Sequence, residues 1–128
     1  LPRKNLIKKL DKLASELAAI NWGGMCARCG RVGNQAHHYF TRGAHAAVRW
    51  DLDNLCWLCY GCHIGRVHRG GDVEMLRDNL VKKIGQERFE SLKAKAAIPK
   101  QWRVFELEAL FAMLSGKVEE NRHVVGEE

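Results

Sequence analysis

Two cysteine pairs, Cys26-x-x-Cys29 and Cys59-x-x-Cys62, stand 29 residues apart in this chain, and no other feature restricts its folding as strongly. A two-residue gap lets both sulfurs of a knuckle reach one ion at about 2.3 Å, and two knuckles complete the tetrahedron that zinc prefers. A redox dithiol would need only one pair. The fifth cysteine, Cys56, is surplus to a four-sulfur site and reads as a small buried hydrophobe. An odd cysteine count with no secretory signal argues against a disulfide framework and for metal in a reducing compartment. The expectation is one structural Zn2+ held by Cys26, Cys29, Cys59 and Cys62.

Residues 26 to 70 hold all five cysteines, five of the six histidines and six of the twelve glycines, with no long helical period. Such a stretch buries little apolar surface, so metal must supply its cohesion. Within it, Gln35 to Phe40 reads as a short strand. Leu52 to Leu58 reads as a second, beginning near Asp53-Asn54. The arm between them contains Gly43 and ends at Val48-Arg49-Trp50.

Either side of this stretch the pattern is helical. Leu6, Leu10, Leu13, Leu17 and Ile20 alternate four and three apart, the seam of an amphipathic helix that Gly23 and Gly24 stop. After Gly70-Gly71, Asp72 is placed to cap a helix with Val73, Leu76, Leu80, Val81 and Ile84 on its apolar face, closed by Gly85. A shorter helix with Phe89 and Leu92 breaks before Pro99. Trp102, Phe105, Leu110, Phe111 and Leu114 mark a last helix ending at Gly116. Together these predict one α+β domain over 1–128, with an N-terminal helix in 1–24, a zinc-stabilised core in 25–70, two or three helices in 71–118 and a flexible tail in 119–128.

The chain carries 21 Lys and Arg against 15 Asp and Glu, a net charge of +6, and its pI is about 9.2. That balance favours a polyanionic partner, because each basic group near a phosphate releases counterions on binding. A well-solvated surface is the plainer reading of the same charge, and of Lys4, Lys8, Lys9 and Lys12, which lie mostly away from the leucine seam. No apolar run approaches a membrane span, and Leu1 to Lys12 is too lysine-rich for a signal peptide. The expected address is the cytoplasm, with no membrane partner.

His37 and His38 are adjacent on a predicted strand, so their side chains point to opposite faces. One can bind a metal while the other stays free as a base. His63 follows Cys62 directly, where a helix should start. His68 lies five residues further, off the same face in a regular helix. Asn54 stands at the head of the second strand. Four cysteines already saturate the zinc, so these histidines have no structural task and point to a second metal centre.

Ala36-His37-His38-Tyr39, followed by Asp53-Asn54-Leu55-Cys56-Trp57-Leu58-Cys59-Tyr60-Gly61-Cys62-His63, resembles the HNH, or ββα-metal, endonucleases of the zinc-stabilised branch. Thr41-Arg42-Gly43 and Arg49-Trp50-Asp51-Leu52-Asp53-Asn54 look like phage proteins of the NinG and recombination-enhancement-nuclease kind. The resemblance covers residues 26 to 70 well and the flanking helices weakly. It implies a ββα-metal core and a metal-dependent DNA endonuclease that leaves 5′-phosphate and 3′-OH ends, in a bacterial or phage-infected cell. By similarity, His38 is the general base and Asn54 fixes the loop that bears it. His37 and His63 would hold one catalytic divalent metal (Zn2+, Mn2+, Ni2+ or Mg2+), with His68 a third ligand as in the colicin-type nucleases.

Two departures from the family pattern stand out. Position 37 is more often an aspartate in the family, and the gap from His63 to His68 is one longer than the colicin pattern. Arg42 and Arg49, flanking the arm, are candidates for phosphate contact; a solvated loop arginine is the plainer alternative. The competing expectation is a zinc-stabilised DNA-binding or recombination accessory module without catalysis. That module accounts for the cysteines and the charge, but not for His38, Asn54 and His63 together.

Overall fold

The computed structural model describes the backbone of residues 1–68 and 73–126, with side chains described except at 66–68 and 123–126. Helix α1 (Arg3–Asn21) leads into the first knuckle, followed by strand β1 (Gln35–His38) and strand β2 (Leu55–Leu58). Two single 3-10 turns, Ala46–Val48 and Leu52–Asn54, shape the arm between the strands. After the second knuckle comes a segment wound as a π-helix, Cys62–His68. Then follow α2 (Glu74–Ile84), α3 (Gln86–Ala96) and α4 (Val104–Gly126). The mixture is α+β, as expected.

The strands pair antiparallel, with His37 opposite Cys56 and His38 opposite Leu55. The second strand is shorter than its sequence pattern. The Asp51 carboxylate accepts the Asp53 N–H at 3.0 Å and winds residues 52–54 into a turn before pairing begins. Side chains of β2 then alternate between two cores. Leu55 and Trp57 pack with Leu6, Leu10 and Leu17 of α1 and with Leu107, Leu114 and Val118 of α4. Cys56 and Leu58 pack with Leu76, Leu80 and Ile84 of α2 and with Phe89 of α3. A smaller cluster of Val48, Leu92 and Ala96 holds the arm against α3.

Two helical expectations need correction. Ile20 does not continue the buried seam of α1: it is 43 % exposed, while Ala14 and Ala18 are buried. A strict seven-residue repeat drifts by about 20° per heptad around a straight helix, so burial passes to neighbouring positions. The last helix does not end at Gly116, and the segment 119–128 expected as a flexible tail is helical as far as Gly126. Leu114 and Val118 are both buried against α1, which outweighs the ~1 kcal/mol that a helical glycine costs. Arg122 and Glu16 join the same two helices at 3.3 Å. Trp102 lies ahead of α4, its indole N–H donating to the Ala46 carbonyl at 2.9 Å. The cap expected at Asp72 lies outside the described residues. Among the described residues no helix is long and apolar enough to cross a membrane.

Candidate functional site

The first knuckle is a tight turn closed by Gly30, whose φ of +80° suits a residue without Cβ. Gly30 donates its N–H to the Cys26 carbonyl at 2.9 Å. In each knuckle the backbone N–H of the second cysteine points at the sulfur of the first: Cys29 N–H to Cys26 Sγ and Cys62 N–H to Cys59 Sγ, both at 3.5 Å. The first knuckle is anchored from both sides. Ala27 donates its N–H to the Trp57 carbonyl of β2 at 2.7 Å, and Asn79 of α2 donates to the Ala27 and Arg28 carbonyls at 2.8 and 3.1 Å.

All four sulfurs lie within 4.8 Å of one another. Zinc–sulfur bonds of about 2.3 Å give a tetrahedron with edges of about 3.8 Å, and Cys29 Sγ and Cys59 Sγ are 3.8 Å apart. The four cysteines are thus positioned to hold a metal ion, with a thiolate set of the kind that selects zinc. Burial pushes the Cys26 thiol up, but backbone N–H groups at Cys29, Cys59 and Arg28 outweigh it and hold the thiol down at about 7. Burial leaves the Cys62 thiol at about 12. Cys56 is apart from this set, fully buried, and burial pushes its thiol up to about 12. It behaves as the apolar residue expected.

A cleft of about 480 Å³ opens between α1 and β1, lined by Asp11, Ser15, His37, His38, Arg42 and His63 among others. His37 and His38 have cross-strand neighbours in different cores, Cys56 and Leu55. Both nevertheless line the cleft. His37 is buried, and its ring meets that of His63 edge-on with centroids 5.5 Å apart. Burial holds the His38 imidazole below its ordinary pKa; backbone hydrogen bonding at Arg49 raises it, and Arg42 and Asp11 pull in opposite directions. His38 Nε2 is shielded from water and has no hydrogen-bond partner among the described residues.

Asn54 is fully buried and clamps both ends of the arm. Its Oδ1 accepts the Phe40 N–H at 2.7 Å, and its Nδ2 donates to the Phe40 carbonyl at 3.0 Å and the Val48 carbonyl at 3.1 Å. Its own carbonyl accepts the Tyr39 N–H at 2.8 Å. The chain just after His38 is thereby fastened to the head of β2.

The two arm arginines differ. Arg42 is 57 % exposed at the rim of the cleft, 3.5 Å from Asp11. Arg49 does not line this cleft. It forks onto Asp11 at 3.2 and 2.7 Å and lies over the Trp50 ring at 5.0 Å. Trp50 donates its indole N–H to the same carboxylate at 2.9 Å. Asp11 and Ser15 are the cleft residues that sequence reasoning missed, since α1 was read only as a leucine seam with a lysine face. The one available signal was that Asp11 is the lone acid in the first fifteen residues. The His68 side chain lies outside the described residues. The backbone there follows an i→i+5 winding, so the regular-helix argument separating positions 63 and 68 does not apply.

Neither the curated proteins nor the solved structures compared with this chain give a significant match. The family model described as the bacteriophage lambda NinG protein matches residues 2–123. That range takes in both cysteine knuckles, the histidine cleft and nearly all of α4. The chain therefore belongs to the bacteriophage lambda NinG protein family.

Proposed function

We propose that this chain is a metal-dependent DNA endonuclease of the HNH type, hydrolysing phosphodiester bonds to leave 5′-phosphate and 3′-OH ends, with His38 as general base. The observation that carries this reading is the dry Nε2 of His38, which has no hydrogen-bond partner among the described residues and sits in a cleft with His37 and His63. An orphaned buried nitrogen costs about 1–3 kcal/mol, and such groups cluster where function requires them. Burial keeps the ring neutral, the form that takes a proton from an attacking water. Asn54 orients it by fixing the backbone on either side of the arm. Two antiparallel strands followed by a helical segment add support. A divalent cation held by His37 and His63 would supply the charge that neutralises the scissile phosphate and the departing 3′ oxygen. Arg42 at the rim supplies a further cation for a phosphate, whereas Arg49 acts through Asp11 by holding the arm.

The test is nicking of supercoiled plasmid by zinc-loaded protein, with each divalent ion added in turn. His38→Ala should lose cleavage by roughly a hundredfold or more and gain nothing from extra metal, since the missing step is proton transfer. His37→Ala and His63→Ala should be partly rescued by excess ion. Parental cutting by His38→Ala would refute the assignment. A parent that binds DNA but never cuts with any ion would make the chain a non-catalytic zinc-stabilised DNA-binding or recombination accessory module.

A further inference from the structure

A second cleft, of about 550 Å³, opens where the first turn of α1 meets the linker between α3 and α4. Arg3, Arg49, Lys100 and Arg103 reach it from three separate stretches of chain, and no acidic residue lines it. Trp50 and Trp102 also line it, their rings 5.5 Å apart. Two of the cations have carboxylate partners: Arg49 with Asp11 at 2.7 Å and Lys100 with Glu106 at 2.6 Å. Arg3 and Arg103 form no ion pair among the described residues. Arg3 donates instead to the neutral Trp102 carbonyl, so its charge stays unbalanced.

The walls disfavour recognition of a base. Trp50 is buried, and both indole N–H groups are already used, on Asp11 and on the Ala46 carbonyl, each at 2.9 Å. What the cleft offers is positive charge, and the ligand that charge selects is a phosphate. Its position fits a strand that also occupies the histidine cleft. Arg3, Ile7, Asp11 and Ser15 follow one another at four-residue steps along α1. The first two line this cleft and the last two line the histidine cleft. The run from Arg3 to Asp11 rises about 12 Å, which is about two to four nucleotides of a duplex strand.

We propose that this cleft is a second phosphate-backbone site, gripping the DNA about two to four nucleotides from the phosphate presented to His38. The choice of DNA as ligand rests on the endonuclease reading of the histidine cleft. The test is a binding measurement, so it can fail separately from catalysis. Anisotropy of a fluorescein-labelled duplex long enough to cross both clefts is measured with the zinc-loaded full chain over a salt series, with no other divalent ion.

Arg3→Gln/Arg103→Gln is compared with Lys93→Gln/Arg122→Gln. The second pair removes the same charge from exposed positions that do not line the cleft. Each phosphate contact contributes about 0.9 to the slope of log K against log salt. The cleft pair should therefore lower the slope by roughly 1.8 and weaken binding about tenfold or more, while the control pair stays near the parent. If the double variant loses zinc or helical signal, Arg103→Gln alone carries the test, with a slope change of about 0.9. Equal losses in both pairs, an unchanged cleft variant, or a parent that does not bind DNA would each overturn the proposal. A parent that binds with the expected slope but never nicks plasmid would leave this site standing and remove the nuclease reading.

Discussion

Replacing Asn54 by alanine removes three hydrogen bonds at once, to the Phe40 N–H and to the Phe40 and Val48 carbonyls. The side chain is fully buried, so water cannot take over these bonds. At about 1 kcal/mol net for each bond, with a further ~1–3 kcal/mol for the Phe40 N–H left dry, the loss is about 4–6 kcal/mol. That is a large part of the ~5–15 kcal/mol that holds a domain of this size. The four-cysteine site lies outside the arm, so zinc content should stay at the parental level. Release of the arm should move His38, and a displacement of about 1 Å at a reacting group costs on the order of a hundredfold in rate. Urea unfolding followed by circular dichroism, metal analysis and plasmid nicking read the three effects separately. Asn54→Asp sharpens the test: it keeps an acceptor for the Phe40 N–H but sets a carboxylate against two carbonyl oxygens, and should be no more stable at neutral pH. An Asn54→Ala loss below about 1 kcal/mol, with nicking unchanged, would refute the clamp.

Three further outcomes are expected. Cys29→Ser or Cys59→Ser should unfold the chain and release metal, because structural zinc supplies on the order of 10 kcal/mol of folding free energy; Cys56→Ala should retain the parental zinc content, and a folded, zinc-free Cys59→Ser would contradict the site. Burial lowers the His38 pKa, so as pH falls through about 6.5 the unfolded chain takes up this proton first. The ring's contribution to stability is complete above that pH and is lost toward the lower folded pKa. The acid limb of the cleavage profile should likewise have its midpoint below about pH 6.5, and a cation at His37 and His63 would push it the same way; a midpoint well above that value would exclude a buried His38 as the base. Finally, a Cβ at Gly33 would meet Trp57 Cδ1 at 2.6 Å and the Leu58 carbonyl carbon at 3.2 Å. Gly33→Ala should cost about 1–3 kcal/mol, read as a lower urea midpoint, and an unchanged midpoint would mean the indole swings aside freely.

Sequence alone determined what short-range geometry encodes. A two-residue gap between cysteines is enough to predict a knuckle, and two knuckles single out Cys26, Cys29, Cys59 and Cys62 while leaving Cys56 to the core. The apolar periods located the helices, whereas the division of β2 between two cores has no counterpart in the uniformly apolar run Leu55–Leu58. Tertiary structure decided what depends on partners far along the chain. The bond between Arg49 and Asp11 joins residues 38 apart, and no local pattern marks either as half of a pair. The continuation of α4 past Gly116 depends on α1 being there to bury Leu114 and Val118, a gain larger than the local preference that glycine expresses. The same holds for the histidine cleft: its residues come from α1, β1, the arm and the segment after Cys62. Backbone pairing and core packing bring them together, because each segment has an apolar face that can be buried only against the others.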